Sequence, residues 1–198
     1  MRLVLATANP HKALELAAIL DGFEVVPRPT DLPEVEETDA TLEGNALLKA
    51  RAVRAATGEA SVADDTGLEV AALGGAPGVY SARYAGPGAT YADNMAALLD
   101  ALERAGAREP ARRRARFRTV GVVAFPGGEE LVAEGRVDGT IAAEPRGEAG
   151  FGYDPLFVPD GGDGRTFAEM TGEEKQAVSH RARAFTALAA ALAGRAAT

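Results

Sequence analysis

The chain has 198 residues, of which 46% are hydrophobic and 25% are charged, a composition typical of a soluble globular protein. This length predicts one domain over residues 1–198 with a substantial core. The absence of cysteine excludes disulfides, thiolate metal sites and cysteine nucleophiles. A net charge of −8 argues against a nucleic-acid-binding protein, which needs a basic surface. We see no signal peptide and no run of about 18 apolar residues, so we predict a cytoplasmic protein without a membrane partner.

The predicted elements alternate between strands and helices from the N-terminus onward. Apolar runs predict strands at 3–6, 23–26 and 61–63. Helical periodicity with capping residues predicts helices at 12–20, 41–57 and 90–105, and a last helix ending near 193. Alternating segments at 114–125 and 130–137 predict a β-hairpin. Strands interleaved with helices, together with a hairpin, indicate an α/β fold with a mixed sheet.

A turn between the first strand and the first helix carries Thr7, Asn9 and Lys12. Backbone N–H groups at a helix start lack intrahelical acceptors and the helix dipole is positive there, so this turn predicts an anion site to which lysine adds charge. The spacing is not that of a Walker loop. The alternative is that the threonine and the asparagine only cap the helix.

The most informative segment is a short apolar run that ends in two adjacent carboxylates, Asp64 and Asp65, followed by Thr66. We interpret the run as a strand that presents these acids at an exposed tip. Such a tip can hold a divalent metal ion or polarise a water molecule beside a phosphate group. A solvated turn is the alternative for any such pair of acids.

Further acids precede the predicted helix at 41–57, where Glu36 and Glu37 lie. On that helix Asn45 and Lys49 are four residues apart and share one face. Together with the paired aspartates, these residues predict a site for Mg²⁺, which typically takes one or two carboxylates, water and substrate phosphate. Ordinary surface positions are the alternative.

Two segments nearer the C-terminus carry candidate ligand contacts. Phe151 follows a glycine-rich loop at 147–150 and offers a stacking surface for a base, although a core position is the commoner fate of a phenylalanine. Lys175 and His180 would point about 140° apart on an unbroken helix. Their joint contact with one ligand therefore requires a break near Ser179.

A basic cluster precedes the predicted hairpin. Four of its members alternate along a predicted strand and would share one face. We interpret this face as solvated, with a ligand or subunit contact as the alternative. The cluster comprises Arg112, Arg113, Arg114, Arg116 and Arg118.

Taken in chain order, these segments resemble one family, the noncanonical purine nucleoside triphosphate pyrophosphatases of the HAM1/RdgB type. The resemblance covers residues 7–181 and rests on several motifs in the same order. They are Thr-x-Asn-x-x-Lys at 7–12, Glu-Glu-Thr at 36–38, Gly-Asn-Ala-Leu-Leu-Lys-Ala-Arg-Ala at 44–52, Ala-Asp-Asp-Thr-Gly-Leu at 63–68, Gly-Gly-Ala-Pro-Gly-Val-Tyr-Ser-Ala-Arg-Tyr at 74–84, Gly-Phe-Gly-Tyr-Asp-Pro-Leu-Phe at 150–157 and Glu-Glu-Lys-x-x-x-Ser-His-Arg at 173–181. The departures are Ala8 where glycine is common, Thr66 where serine is common, and a shortened Glu-Gly pair at 43–44.

The resemblance implies an elongated mixed β-sheet flanked by helices, in two lobes with the nucleotide in the cleft between them. It implies hydrolysis of ITP, dITP and XTP to the monophosphate and pyrophosphate, with Mg²⁺ as cofactor and a homodimer as the assembly. It also implies Glu37 and Asp65 as metal ligands, Asp65 as general base and a substrate contact for Thr66. Carried over by motif, the triphosphate contacts are Thr7, Ala8, Asn9, Pro10, His11, Lys12 and Lys49. The base and sugar contacts are Phe151, Gly152, Tyr153, Asp154, Lys175, His180 and Arg181.

The residue types add a mechanism and a hypothesis about base choice. Without a cysteine or a Gly-x-Ser-x-Gly elbow, direct attack by water is the preferred route. Arg181, which only donates hydrogen bonds, would satisfy the 6-oxygen of hypoxanthine or xanthine, and Asp154 would accept the N1–H group. Two alternatives stay open, a nucleotide sensor without turnover and a phosphatase that uses an aspartyl-phosphate. The intact acid set counts against the first, and the lack of Asp-x-Asp after the first strand counts against the second.

Overall fold

The computed structural model describes residues 1–196, and the chain forms two compact units. Unit 1 contains Met1–Asp65, Thr119–Gly135 and the residues from Arg181 onward, and unit 2 contains Thr66–Arg118 and Arg136–His180. The single two-lobed domain over 1–198 stays a prediction.

Within the described residues the strands and helices alternate as the sequence predicts. The strands are β1 (Arg2–Leu5), β2 (Glu24–Val26), β3 (Ser61–Val70), β4 (Pro77–Gly78), β5 (Arg114–Ala124), β6 (Glu130–Ile141) and β7 (Phe157–Pro159). The helices are α1 (Pro10–Ile19), α2 (Leu42–Thr57), α3 (Tyr91–Arg104), α4 (Gly172–Val178) and α5 (His180–Ala196). No helix among residues 1–196 is long and apolar enough to cross a bilayer.

The strands form one hydrogen-bonded sheet in the order β2-β1-β3-β5-β6-β7, with β4 paired to β3. β1 is parallel to β2 and to β3, whereas β3 with β4 and β6 with β7 are antiparallel. The predicted α/β fold with a mixed sheet is therefore confirmed. The predicted hairpin is also confirmed, because β5 and β6 are neighbours joined by a tight turn in which Phe125 N–H donates to the Glu129 carbonyl at 2.9 Å.

Local capping explains why the helices begin and end where they do. Thr41 accepts a hydrogen bond from Gly44 N–H at the start of α2, and Gly58 ends that helix in the left-handed region with φ 70°. Thr90 and Asp93 form a reciprocal capping box on α3. The break near Ser179 that a joint contact of Lys175 and His180 requires is observed, because this residue is extended between α4 and α5.

The strand that carries the paired acids is longer than predicted. β3 continues to Val70, so Asp64 and Asp65 lie in its middle and are buried, and the prediction of an exposed tip is wrong. The residues after the acids include Thr66, a type common in strands, and Leu68, which is fully buried in the core of unit 2. Leu68 pairs with β4, which extends the ladder beyond the carboxylates.

Each unit has its own hydrophobic core. In unit 1, residues of β1, α1, β3 and α5 pack together, among them Leu3, Leu16, Val62, Phe185 and Leu188. In unit 2, residues of α3, β5, β6 and the loop before α4 pack together, among them Leu98, Phe117, Ile141, Phe157 and Phe167. These cores hold the strands and helix starts that carry the polar side chains described below.

The basic cluster is divided between exposed and buried positions. Arg116 and Arg118 form ion pairs with Glu69, and Arg114 forms one with Asp160, so these three side chains lie on a partly solvated face as predicted. Arg113 is buried instead and donates to the Ile141 carbonyl at 2.8 Å. The Arg113 side chain therefore links the start of β5 to the end of β6 within unit 2.

A close approach of β7 to β6 generates a stability prediction. A Cβ atom at Gly139 would overlap the Val158 carbonyl oxygen and the Phe157 ring. We expect Gly139→Ala to lower the free energy of unfolding by about 1–3 kcal/mol, the usual cost of overpacking. Denaturant unfolding measures the change. Gly172→Ala is the control, because a Cβ there meets no atom within 4 Å, and equal stability of the two variants would contradict the prediction.

Candidate functional site

A buried ion cluster in unit 1 is organised around Asp64. Its Oδ2 atom lies 3.1 Å from Lys12 Nζ and accepts hydrogen bonds from Arg181 at 3.2 and 3.3 Å. Arg181 also donates to Glu15 at 2.5 Å. The cations come from the first turns of α1 and α5, so two helix starts deliver positive charge to the middle of β3.

The charges in this cluster determine the protonation of Asp64. Burial by itself raises the pKa of Asp64, but the charges of Lys12 and Arg181 outweigh burial and hold that pKa far below its ordinary value. Burial lowers the pKa of Lys12. Asp64 is therefore an ionised anchor for the two cations, and its very low pKa makes it a poor proton acceptor.

Asp65 is the centre of a second group of polar side chains in unit 1. Lys49 Nζ lies 2.7 Å from Glu37 Oε1 and 3.4 Å from Asp65 Oδ1, so one ammonium group joins both carboxylates. Asn45 Nδ2 donates to Asp65 Oδ2 at 3.4 Å. Successive strand residues point to opposite faces, which explains why the two aspartates have different hydrogen-bond partners.

The two aspartates also differ in their tendency to bind a proton. Burial raises the pKa of Asp65, and the charge of Lys49 only partly offsets this effect. Burial acts against the charged form of Lys49, yet the charges of Asp65, Asp64 and Glu37 raise its pKa above the ordinary value. Of the two adjacent aspartates, Asp65 is thus the better proton acceptor.

The turn at residues 7–12 is organised as a helix cap. Asn9 Oδ1 accepts hydrogen bonds from His11 N–H at 2.9 Å and Lys12 N–H at 3.3 Å, and Thr7 Oγ1 accepts one from Asn9 N–H at 3.1 Å. Pro10 has no N–H group. Capping is therefore observed, and the N–H groups of residues 11 and 12 are engaged by the protein. The anion site at this turn stays a prediction, for which Lys12 would supply the positive charge. Ala8 lies exposed on the same turn.

In unit 2, Asp154 organises a loop that carries an aromatic ring. Its Oδ2 atom accepts hydrogen bonds from Phe151 N–H at 2.8 Å and from Lys175 Nζ at 2.7 Å. The lysine ammonium lies 4.9 Å from the centre of the Phe151 ring. The ring is only half-buried. Gly150 has φ 74°, and a Cβ there would overlap the Asp154 carboxylate, so the tight loop depends on glycine.

Other predicted base contacts in unit 2 belong to its interior. The Tyr153 hydroxyl donates to the Ser81 carbonyl at 2.9 Å. The His180 ring is buried and stacks on Phe117 with ring centres 4.5 Å apart. Gly152 adopts the left-handed backbone that the loop requires, with φ 64°. These three residues shape the loop and the core behind it.

The structure brings together two sets of the predicted residues. The first set lies in unit 1, where these side chains contact one another or Asp64: Lys12, Lys49, Glu37 and Asp65. Thr66 follows Asp65 on β3. Phe151, Asp154 and Lys175 meet in unit 2. Arg181, which we expected to contact the base together with Asp154, donates hydrogen bonds to Asp64 and Glu15 within unit 1. Its assignment to the 6-oxygen stays a prediction, and the geometry favours an anchoring role.

Two residues of the ion clusters were not predicted as site residues. Glu15 lies three positions after Lys12 and so shares a face of α1 with it, a spacing that the sequence already contains. Asn45 was grouped with Lys49 and the acids of the predicted metal site, but its own contact was not predicted. The available signal was its position one turn before Lys49 on the same helix face.

The carboxylates were tested against the requirements of a divalent metal ion. Within residues 1–196 no group of three or more His, Asp and Glu side chains is arranged to hold a metal. Glu37 and Asp65 nevertheless converge on one ammonium group, which shows that a cation is accommodated between them. Mg²⁺ commonly uses one or two carboxylates, with water and substrate phosphate completing its shell. The pair therefore fits Mg²⁺ bound together with a phosphate substrate.

Removing the charge of Asp64 should destabilise unit 1. We expect Asp64→Asn to lower the free energy of unfolding near pH 7 by about 3–5 kcal/mol, because Lys12 and Arg181 lose their buried counter-charge. Since the folded-state pKa of Asp64 is depressed, its stabilisation is present above pH 4 and is lost as the pH falls.

The stability difference between parent and variant should therefore narrow in acid, as denaturant unfolding at several pH values would measure. Asp160→Asn is the control, because it removes an exposed ion pair with Arg114 and should change stability little. The prediction is contradicted if Asp64→Asn lowers the free energy of unfolding no more than Asp160→Asn does.

Comparison with known proteins identifies the family of this chain. The model of the Ham1 family matches residues 3–191. A dITP/XTP pyrophosphatase of Caulobacter vibrioides is 51% identical over 193 residues, which cover 96% of this chain and 97% of the relative. A dITP/XTP pyrophosphatase of Symbiobacterium thermophilum is 50% identical over 186 residues, covering 92% of this chain and 90% of the relative. The structure of a HAM1 protein from Coxiella burnetii superimposes with a TM-score of 0.88 at 40% identity, over 98% of this chain and 99% of that one. With its buried acid pair, its capped N-terminal turn and this similarity along nearly its whole length, the chain belongs to the Ham1 family.

Proposed function

We propose that this chain hydrolyses noncanonical purine nucleoside triphosphates, namely dITP, ITP and XTP, to the monophosphate and pyrophosphate. The observation that carries the proposal is the group around Asp65, where a buried carboxylate of raised pKa lies beside the cationic side chain of Lys49. The names of relatives at about half identity supply the substrate class. The role of the enzyme would be to remove these nucleotides from the cellular pool.

The side chains of unit 1 supply charge neutralisation and a base. Lys12 and Lys49 would neutralise phosphate charge, and preorganised charge is usually the largest contribution to catalysis. Asp65 would accept a proton from the attacking water, and its raised pKa brings it closer to the value that suits a general base at neutral pH. Asp64 would keep Lys12 in place through its 3.1 Å ion pair.

We propose Mg²⁺ as the cofactor, with Glu37 and Asp65 as its protein ligands. When bound, Mg²⁺ acts as a Lewis acid that polarises phosphoryl oxygens and neutralises their charge. The support from this chain is the convergence of both carboxylates on Lys49 Nζ. With Mg²⁺ held by these carboxylates, Lys49 would be available to contact phosphate.

We propose the loop of unit 2 as the base and sugar contact. Phe151 offers a half-buried ring and Lys175 a cation above it, while Asp154 holds both through hydrogen bonds. Gly152, Tyr153 and His180 would act indirectly, because they shape this loop and its support. We also propose that the protein is a homodimer in the cytoplasm. This part of the proposal rests on the family resemblance.

The proposed reaction is tested by product analysis. With a panel of triphosphates and Mg²⁺, we expect pyrophosphate and monophosphate from dITP, ITP and XTP and slower turnover of ATP. Asp65→Asn should lower kcat by about 10²-fold or more, because it removes the proton acceptor at constant shape. Orthophosphate as the product would indicate the phosphatase alternative, binding without products would indicate a sensor, and turnover of Asp65→Asn within a fewfold of the parent would exclude this base.

The two lysines of unit 1 should affect substrate binding in a salt-dependent way. We expect Lys12→Ala and Lys49→Ala each to raise KM for dITP, with a difference from the parent that shrinks at high ionic strength because phosphate contacts are screened. Steady-state kinetics at two salt concentrations measure this. The control is Arg104→Ala, which removes an exposed cation on α3. If both lysine variants bind the triphosphate as the control does, the start of α1 is only structural.

A further inference from the structure

Asn45 is a fully buried asparagine of α2 with hydrogen bonds on both sides of its amide. Its Oδ1 atom accepts from Asp39 N–H at 2.9 Å, and its Nδ2 atom donates to Asp65 Oδ2 at 3.4 Å. The Asp39 N–H group can only donate, so it must face the amide oxygen, and the amide nitrogen is thereby directed to the carboxylate. The orientation of the amide therefore follows from its two neighbours.

Both oxygens of Asp65 are held from the same face of α2. Lys49 donates to Oδ1 and Asn45 to Oδ2, each at 3.4 Å. Residues four apart lie one above the other on a helix, so Asn45 and Lys49 can both donate to the same carboxylate. Distances of this length are common before substrate binds and shorten in the reacting complex.

The other bond of Asn45 reaches the segment that carries Glu37. Asp39 lies two residues after Glu37 and also accepts hydrogen bonds from Thr41 N–H and Thr41 Oγ1 at 2.8 and 2.7 Å. Its side chain packs where a Cβ of Gly44 would lie, so the segment is close against the start of α2. Asn45 thus connects the carboxylate of Asp65 to the backbone of the segment that carries Glu37.

We propose that Asn45 is a positioning residue that fixes Asp65 and the Glu37 segment relative to each other. Its amide donor orients the carboxylate of Asp65, and its amide acceptor holds the backbone at Asp39. This inference rests on the proposed function for its kinetic consequence, but not for its structural one. A carboxylate oriented in this way faces its target without rearrangement, so the gain appears in turnover more than in substrate affinity.

The chain contains a matched control in unit 2. Asn94 is also buried on a helix, accepts from Ala85 N–H at 2.8 Å and donates to the Ala82 carbonyl at 3.1 Å. It has the same hydrogen-bonding pattern as Asn45, except that its donor meets a backbone carbonyl in place of a carboxylate. Loss of a structural asparagine is therefore measured separately from loss of the Asp65 contact.

The kinetic arm compares Asn45→Asp with Asn94→Asp, because each keeps an acceptor for the backbone N–H and loses the amide donor. We expect kcat for dITP to fall at least about tenfold in Asn45→Asp, with KM within about threefold of the parent. Asn94→Asp should keep both constants within about threefold. A kcat of Asn45→Asp within threefold of Asn94→Asp would overturn the positioning role.

The structural arm measures hydrogen exchange of the Asp39 amide at one pH. We expect this amide to exchange at least about tenfold faster in Asn45→Ala and at nearly the parent rate in Asn45→Asp, which retains the acceptor. Unchanged exchange in Asn45→Ala would overturn the link to the Glu37 segment. Asn45→Ser, which is too short to reach Asp39 in the same way, gives the same measurement if the alanine variant does not fold. A parent inactive on every triphosphate would overturn the proposed function, while the exchange rates would still decide the Asn45 contact.

Discussion

The burial of two adjacent carboxylates in the middle of β3 is the constraint on which the rest of unit 1 depends. An isolated ionised carboxylate is very costly to bury, so each of these groups needs cations and hydrogen-bond donors within reach. Lys12 and Arg181 meet this need for Asp64, and Lys49 meets it for Asp65. The helices that carry these cations must therefore pack where β3 requires them.

The same constraint gives the two aspartates different chemistry. Two strong cations make Asp64 a permanent anion, whereas Asp65, with a raised pKa and Lys49 and Asn45 as its direct contacts, is suited to exchange a proton. Neighbouring positions on one strand thus carry one permanently ionised carboxylate and one that accepts a proton more readily. In unit 2 a single carboxylate, Asp154, performs the anchoring by holding both the backbone of Phe151 and the ammonium of Lys175.

Much of the fold was predictable because its signals are local. Thr41, Gly58 and Thr90 mark helix ends through bonds to residues only a few positions away. The length of β3 was not predictable, because adjacent acids usually end a strand. The charge that balances Asp64 comes partly from Arg181, which lies 117 positions away in sequence. No pattern within a short window contains that information. For the same reason, the contacts of Arg181 with Asp64 could not be predicted from the sequence.

The ion clusters of unit 1 also have a charge balance of their own. Four carboxylates, those of Glu15, Glu37, Asp64 and Asp65, contact three cationic groups, those of Lys12, Lys49 and Arg181. In their ionised forms these residues sum to one negative charge. If a polyphosphate binds here as proposed, positive charge that arrives with it would offset this excess. The residues that stabilise unit 1 would then favour a charge-neutralised form of the ligand over a bare one.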